Sequence, residues 1–290
     1  MTYASACSET NTFDLTSNQP RDCYMNYGRW ETRGEKGRGG QGVTYLAEDS
    51  NLFFKILDSI ARAVPAINGI GMTEEQNMRA RVLADGVHKY VSAIQKEGIV
   101  ALKVLHENIR TDSKALSRLK QEIEVLTKHP HENIVKIIDS NASEGWFATT
   151  FFPLGTLADN SRQFQSKSFT ALQAFRPLVD AVATLHRMEI LHRDIKPANI
   201  FFSEAGLVLG DFGLVYFAEE GRVRLTDTYE NAGSRDWMPP WAYGKRVEEL
   251  NPSFDVFSLG KVLWAMISGK TVLPLWYHRK PEYDLSRLFS

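Results

Sequence analysis

Cysteine is scarce in this chain: two in 290 residues, Cys7 and Cys23, both in a polar N-terminal stretch. That is too few for a disulfide scaffold, and the pair makes no metal-ligand spacing, so both read as free thiols. An excess of one charge is missing too. Lys and Arg total 34 against 35 Asp and Glu, a formal net charge of -1, which gives no reason to expect a nucleic-acid or anionic-membrane partner. No uncharged apolar run reaches the roughly eighteen residues that span a bilayer, and the opening MTYASACSETNTF lacks the basic start and apolar stretch of a secretory signal. These absences point to a cytoplasmic protein without membrane insertion. What is present is material for a core. A composition 43% hydrophobic and 24% charged excludes disordered and collagen-like chains and fits one large domain or two joined lobes.

Residues 1–27 are rich in Ser, Thr, Asn and Asp without apolar periodicity, which predicts a flexible N-terminal extension, either a leader or a docking tail. RWETRGEKGRGGQGVTYLAED then reads as a strand, a glycine-rich turn and a second strand in which Val43, Tyr45 and Ala47 alternate. IVALKVL (99–105) suits a buried strand. Leu116, Leu119, Ile123 and Leu126 recur at helical spacing through SKALSRLKQEIEVLTK, with charges on the other face. IVKII (134–138) and WFATTFF (146–152) read as strands, the second closed by Pro153 and Gly155. Beyond residue 170 helical patterns dominate, notably LQAFRPLVDAVATLHRM and DVFSLGKVLWAMIS. The order predicts an α+β protein of two lobes, a β-rich one over about 28–150 and a mainly helical one over about 155–290. Residues 50–98 interrupt it. Thr73 and Gln76 have capping-box spacing, and Leu83, Val87, Tyr90 and Ile94 follow at helical steps, so this insert is either a packed structural element or a regulatory or partner site.

Two short segments carry chemistry. Leu191-His192-Arg193-Asp194-Ile195-Lys196-Pro197-Ala198-Asn199 sets a carboxylate, a lysine two residues later and an amide five residues later on one loop: a proton acceptor, a stabiliser of phosphate charge and a metal ligand. Seventeen residues after Asp194, the strand LVLG ends in Asp211-Phe212-Gly213, where a carboxylate is well placed to hold Mg²⁺ on a nucleotide. Gly37-Arg38-Gly39-Gly40-Gln41-Gly42 forms a GxGxxG that joins two strands rather than a strand and a helix, which favours a cover over phosphates to a dinucleotide fold.

With these motifs the sequence resembles the eukaryotic-type (Hanks-type) serine/threonine protein kinases over about residues 29–280. The resemblance implies a bilobal fold, with residues 28–290 as the kinase domain, a β-rich N-lobe with helix C, and ATP and Mg²⁺ as cofactors. Ala101-Leu102-Lys103 looks like the strand lysine motif that meets the α/β-phosphates. Lys55, in LFFKIL, competes for that role, but the lysine's glutamate partner stands about twenty residues on in this family. Glu122 lies nineteen residues after Lys103 and sixty-seven after Lys55, and fits better than Glu124. By the same resemblance FATTFFPLGTL is the hinge. Thr149 is its gatekeeper, the backbone of Thr150, Phe151 and Phe152 faces the adenine edge, Ala101 and Phe201 sandwich the base, and Thr44 stands where the family has Val. Asp194, Lys196, Lys103 and Glu122 are the implied catalytic set, and Asn199 and Asp211 the implied metal ligands. Leu126, Ile137, His192 and Phe212 match a stacked column linking the lobes, and Asp255 matches the anchor of the catalytic loop. Arg193 matches the arginine that receives an activation-segment phosphate; Thr226, Thr228 and Tyr229 are acceptors there, and Glu230 is a built-in carboxylate.

The resemblance thins at Gly233-Ser234-Arg235-Asp236-Trp237-Met238-Pro239-Pro240-Trp241, where Trp241 replaces the glutamate of the family's APE motif. The chain runs to Ser290, about thirty residues past Asp255, so a shortened C-lobe is expected, with the segment held by Trp237 and Trp241 packing. The implied activity is phosphoryl transfer to Ser/Thr hydroxyls of a protein substrate, autophosphorylation included. The alternatives are a pseudokinase or scaffold that docks partners through the insert or the N-terminal tail, and a small-molecule phosphotransferase, against which Lys196 speaks. Lys103→Met and Asp211→Ala are each expected to abolish phosphotransfer and Lys55→Met to leave most of it, as read by transfer of labelled phosphate from ATP.

Overall fold

A β-strand serves two faces at once because its side chains alternate, and this chain exploits the property in its N-terminal half. The computed structural model describes residues 25–52, 73–74, 78, 98–213, 216–217, 236–242, 250–270 and 280–284. A six-stranded antiparallel sheet is built from β1 (Asn26–Tyr27), β2 (Trp30–Arg38), β3 (Gly42–Asp49), β4 (Ile99–Leu105), β5 (Ile137–Asn141) and β6 (Trp146–Thr150), in the order β1-β2-β3-β4-β6-β5. In β4, Val100, Leu102 and Val104 are buried in an outer cluster with Tyr27, Trp30, Ala47, Trp146 and Ala148. Ala101 and Lys103 occupy the intervening positions, and the Lys103 ammonium meets groups of the helical half instead. The residues between β3 and β4 do not break the sheet, since the two strands pair without a register shift from Gly42↔Leu105 to Glu48↔Ile99.

Helix α1 (Ser113–Lys128) follows β4. Asp112 caps it, its carboxylate accepting the Lys114 N–H at 2.8 Å. The apolar spacing turns Ala115, Leu119, Val125 and Leu126 inward. Glu122 shares that buried face.

The second half gathers around two long helices, α2 (Ser168–Arg187) and α3 (Ser253–Ser268). Ala171, Phe175, Leu178, Val182 and Leu185 give α2 a buried stripe at steps of four, three, four and three. α3 is apolar nearly all round, as befits a helix inside the core. It ends at Gly269, whose φ of 69° closes the helix in a left-handed conformation open to glycine. Between the helices lie the pair β7 (Ile190–Leu191) with β10 (Tyr216–Phe217) and the hairpin β8 (Ile200–Ser203) with β9 (Gly206–Leu209). The Trp264 indole N–H donates to the Tyr283 carbonyl at 2.8 Å and ties residues 280–284 to α3. No helix among the described residues is long and apolar enough to cross a membrane.

Three expectations need correction. The apolar run Ile134–Ile138 is not one strand but serves two partners: Val135 N–H donates to Leu209 O at 2.8 Å and Leu209 N–H to Asn133 O at 2.8 Å, so its start joins the helical half while β5 begins at Ile137. The strand expected over 146–152 ends at Thr150, and Phe151 and Phe152 leave the sheet. The flexible extension expected over 1–27 overlaps the sheet at its end. Residues 26–27 form β1, Met25 and Thr32 exchange hydrogen bonds, the buried Tyr27 ring lies edge-on to Trp146, with centroids 6.5 Å apart, and the Tyr27 hydroxyl oxygen accepts a hydrogen bond from Arg110 at 3.0 Å. Residues 1–24, nearly all of the insert, and the tail positions 271–279 and 285–290 on which the shortened C-lobe depends lie outside the described residues.

Tyr27→Ala is expected to lower folding stability by about 2–4 kcal/mol, the cost of emptying a large buried aromatic site. Urea denaturation measures it, and a loss below about 0.5 kcal/mol would show that β1 is not part of the packed sheet.

Candidate active site

The turn joining β2 to β3 supplies the glycine loop. Gly39 N–H donates to Gly42 O at 2.9 Å and closes it. A Cβ at Gly42 would lie 2.2 Å from the Val104 carbonyl oxygen, so β4 itself demands glycine there, whereas one at Gly37 would meet nothing within 4 Å. Two further bonds hold the tip: the His106 imidazole Nε2 lies 2.8 Å from Gly39 O, and His106 N–H donates to Gln41 O at 3.1 Å. The Lys36 ammonium, just ahead of the loop, lies 5.8 Å from the Phe151 ring centroid. His106 carries no motif in the sequence; its only signal is its place directly after an apolar strand.

Beneath the loop three charged groups meet. Lys103 Nζ donates to both carboxylate oxygens of Glu122, at 2.9 and 2.8 Å, and to Asp211 Oδ1 at 3.0 Å. Glu122 is 3% exposed and also accepts the Phe212 N–H at 3.1 Å, so α1 is bonded to both β4 and the Asp211–Gly213 turn. Burial alone would depress the Lys103 ammonium, but Asp211 and Glu122 together outweigh it and hold it above its ordinary value, firmly charged. Burial raises Glu122, against the pull of Lys103. Lys103 draws Asp211 down to about 2, although that side chain is 47% exposed and water screens part of the attraction. Asp211 also sits at φ 57°, a left-handed conformation that aspartate tolerates better than most residues. Glu124 points elsewhere, to Lys128 at 2.7 Å on the surface. Lys55 lies outside the described residues.

The loop after β7 is fixed from below. Asp255, fully buried in the first turn of α3, accepts the backbone N–H groups of His192 at 2.9 Å and Arg193 at 2.8 Å. The His186 imidazole lies 2.8 Å from the same carboxylate. His186 was not singled out from sequence, where it is one polar residue at the end of an amphipathic helix. His192 accepts the Asp194 N–H at Nδ1, 3.2 Å, which leaves Nε2 to carry the proton donated to Gly210 O at 3.1 Å; burial keeps the ring neutral by lowering its affinity for a second proton. Its ring lies edge-on to Phe212 at 4.6 Å, and Leu126 and Ile137 belong to the same apolar cluster. Asp194, 9% exposed, receives Lys196 Nζ at 2.7 Å and Asn199 Nδ2 at 2.9 Å. With Nδ2 committed to Asp194, the Asn199 amide oxygen is the end left for a ligand.

Around the hinge, register sets Thr44 opposite Lys103 and Ala101 opposite Thr149, whose hydroxyl lies 3.4 Å from Ala101 O. Thr150 is the last residue of β6. Phe152 stacks on Phe201 at 5.2 Å and 21°, and a Cβ on Gly210 would come within 2.7 Å of the Phe201 ring, so glycine makes room for this floor. Trp237 is buried in the main core. Trp241 is half-exposed, with its ring edge-on to Phe254 at 6.3 Å. Thr226, Thr228, Tyr229, Glu230, Gly233 and Ser234 lie outside the described residues.

A family profile described as "Protein kinase domain" matches residues 86–285. The chain belongs to the protein kinase family. The match begins after the glycine loop, but β3 pairs with β4 along its whole length and brings that loop over the matched part. The kinase domain is similar to serine/threonine-protein kinase STY46 of Arabidopsis thaliana, 32% identical over 187 residues, covering 61% of this chain and 30% of the relative. It is also similar to CBL-interacting serine/threonine-protein kinase 20 of the same plant, 27% over 212 residues, 70% and 47%, and to the probable serine/threonine-protein kinase PknB of Bifidobacterium longum, 28% over 184 residues, 59% and 26%. The chain thus spans less than half the length of these curated relatives.

Glu122→Gln is expected to cut ATP turnover by about two orders of magnitude or more, since it removes a charge that fixes Lys103. Glu124→Gln is expected to leave turnover within about twofold, because an exposed pair on one helix contributes only about 0.3–0.5 kcal/mol. Steady-state rates for both variants check the pairing, and equal losses would contradict it.

Proposed function

We propose that this kinase domain, residues 28–290 with its insert over about 50–98, is an active serine/threonine protein kinase. The observation that carries the reading is a single cleft holding the Asp194 carboxylate, braced by Lys196 and Asn199 on a loop gripped by Asp255, together with the Lys103–Glu122–Asp211 cluster. The oxygen donors of Asn199 and Asp211 fit Mg²⁺, which takes one or two protein oxygens and completes its shell with phosphates and water. Bound there, Mg²⁺ would neutralise phosphate charge as it shifts toward the leaving ADP.

The chain's own groups do the rest. The glycine loop would cover the phosphates with backbone N–H groups, and Gly37 and Gly39 leave space for a close approach. Lys103 exchanges part of its contact with Asp211 for phosphate oxygens while Glu122 keeps it in place. Thr149, Thr150 and Phe152 border the adenine, with Ala101, Thr44 and Phe201 above and below. Asp194 orients the acceptor hydroxyl and takes its proton as that oxygen bonds to the γ-phosphorus and the bond to ADP breaks; Lys196 offsets negative charge on the transferred group. Lys196, and the serine/threonine kinase names of the relatives, support a protein Ser/Thr acceptor over a small molecule.

The packing of Trp241 where a family carboxylate is expected favours a second reading, a nucleotide-binding pseudokinase that docks partners through the insert or N-terminal extension.

Mass spectrometry after incubation with ATP·Mg²⁺ is expected to find phosphoserine or phosphothreonine, and Asp194→Asn to slow transfer by about a hundredfold or more while ATP binding persists. Undiminished transfer in Asp194→Asn would remove this residue from the mechanism, and ATP binding without transfer by the unmutated protein would favour the pseudokinase.

A further inference from the structure

α3 is an apolar helix with a lysine inside it. Lys261 is 6% exposed, in a turn flanked by Ser258, Val262 and Ala265, all buried. Holding an ammonium away from water is costly. Burial draws Lys261 down to about 8 from 10.5, with Asp236 opposing that shift. A methionine would fill the same space without the cost, so the charge needs an explanation in what it faces.

Its neighbours form a stripe. Phe254, Ser258 and Lys261 lie at steps of four and three on α3, and each meets the segment Asp236–Ala242. Phe254 buries Met238 and Ala242 and takes the edge of Trp241. The Ser258 hydroxyl donates to Trp237 O at 2.9 Å. Lys261 Nζ lies 5.6 Å from the Trp237 ring centroid and 5.9 Å from that of Phe257, within reach of a cation–π attraction that desolvation strengthens. Nearly two turns before Lys261 the same helix carries Asp255, which grips the Asp194 loop. The catalytic loop and the Asp236–Ala242 segment are therefore mounted on one rigid element.

We infer that Lys261 is a positioning residue for the protein acceptor: its ammonium holds Trp237, and with it the Asp236–Ala242 segment, at a fixed offset from the Asp194 loop. The inference rests on the kinase reading and deepens it, placing acceptor alignment on a lysine where the chain lacks the glutamate of its family's motif.

The test uses the full chain with myelin basic protein as acceptor and measures three quantities: KM for acceptor, KM for ATP, and acceptor-free ATP hydrolysis. Lys261→Met is expected to raise the acceptor KM about three- to thirtyfold, the span of a cation–π contact from exposed to desolvated, while the other two stay within about twofold. Lys261→Arg should restore the acceptor KM. If the methionine variant fails to fold, Lys261→Gln is read in the same way. An unchanged acceptor KM in a folded variant overturns the inference, as does a rise in both KM values together with a loss of ATP hydrolysis that Arg does not rescue. If the unmutated chain hydrolyses ATP but phosphorylates no protein, the kinase reading itself falls, and the inference with it.

Discussion

The candidate active site hangs on one buried carboxylate. Asp255 is sealed in the first turn of α3 and accepts two backbone N–H groups of the loop above it, with the His186 imidazole at the same oxygen as His192. A charge so placed is tolerable only when donors surround it, and those donors give the loop one available position. From there the constraint passes upward without a gap. Arg193 is held at φ 69°, His192 is fixed in one tautomer between Asp194 and Gly210, and Gly210 leads into Asp211. Without Asp255 the loop would have two unpaired N–H groups facing a core, and nothing to choose its orientation.

The upper half meets this frame through a charged contact as well as through the packing of Leu126 and Ile137 with Phe212. Lys103 is brought down by strand alternation, Glu122 by a helical face that is otherwise apolar, and the Phe212 N–H by the turn after β9. Three elements, two near neighbours and one ninety residues further on, thus share one ion cluster, and a small displacement of α1 would break several bonds together. The strength of such a contact depends sharply on geometry, where an apolar contact would slide.

How much of this was legible in the sequence depended on whether one signal dominated locally. β4 and α1 match their sequence patterns to the residue, because each has one buried face and clear ends. The Lys103–Glu122 contact was legible only through the family resemblance, which supplied the separation to look for. The run Ile134–Ile138 misled because its apolar residues serve two different neighbours, and periodicity cannot divide a run between partners. β1 was invisible: two residues in a polar stretch acquire strand character from Thr32 a few residues on and from Trp146 and Arg110, both distant in the chain. His106 and His186 act through one or two bonds each and leave no pattern. Lys261 did leave one, the single cation of an apolar helix, whose meaning waited on Trp237 beside it.

The glycine loop is carried by the sheet's outermost long strand. β1 covers β2 only at Trp30 and Glu31, so beyond Thr32 that edge has no neighbouring strand among the described residues. An open edge of this kind invites the strand of another molecule, the usual first step of β-aggregation. Here it carries Arg33, Glu35, Lys36 and Arg38, and two breaks in register bend it between Thr32 and Gly34 and between Glu35 and Gly37. Charge and bulge are both devices that spoil edge-to-edge pairing. The loop's supporting strand can therefore stay uncovered without becoming a template on which copies of the chain assemble.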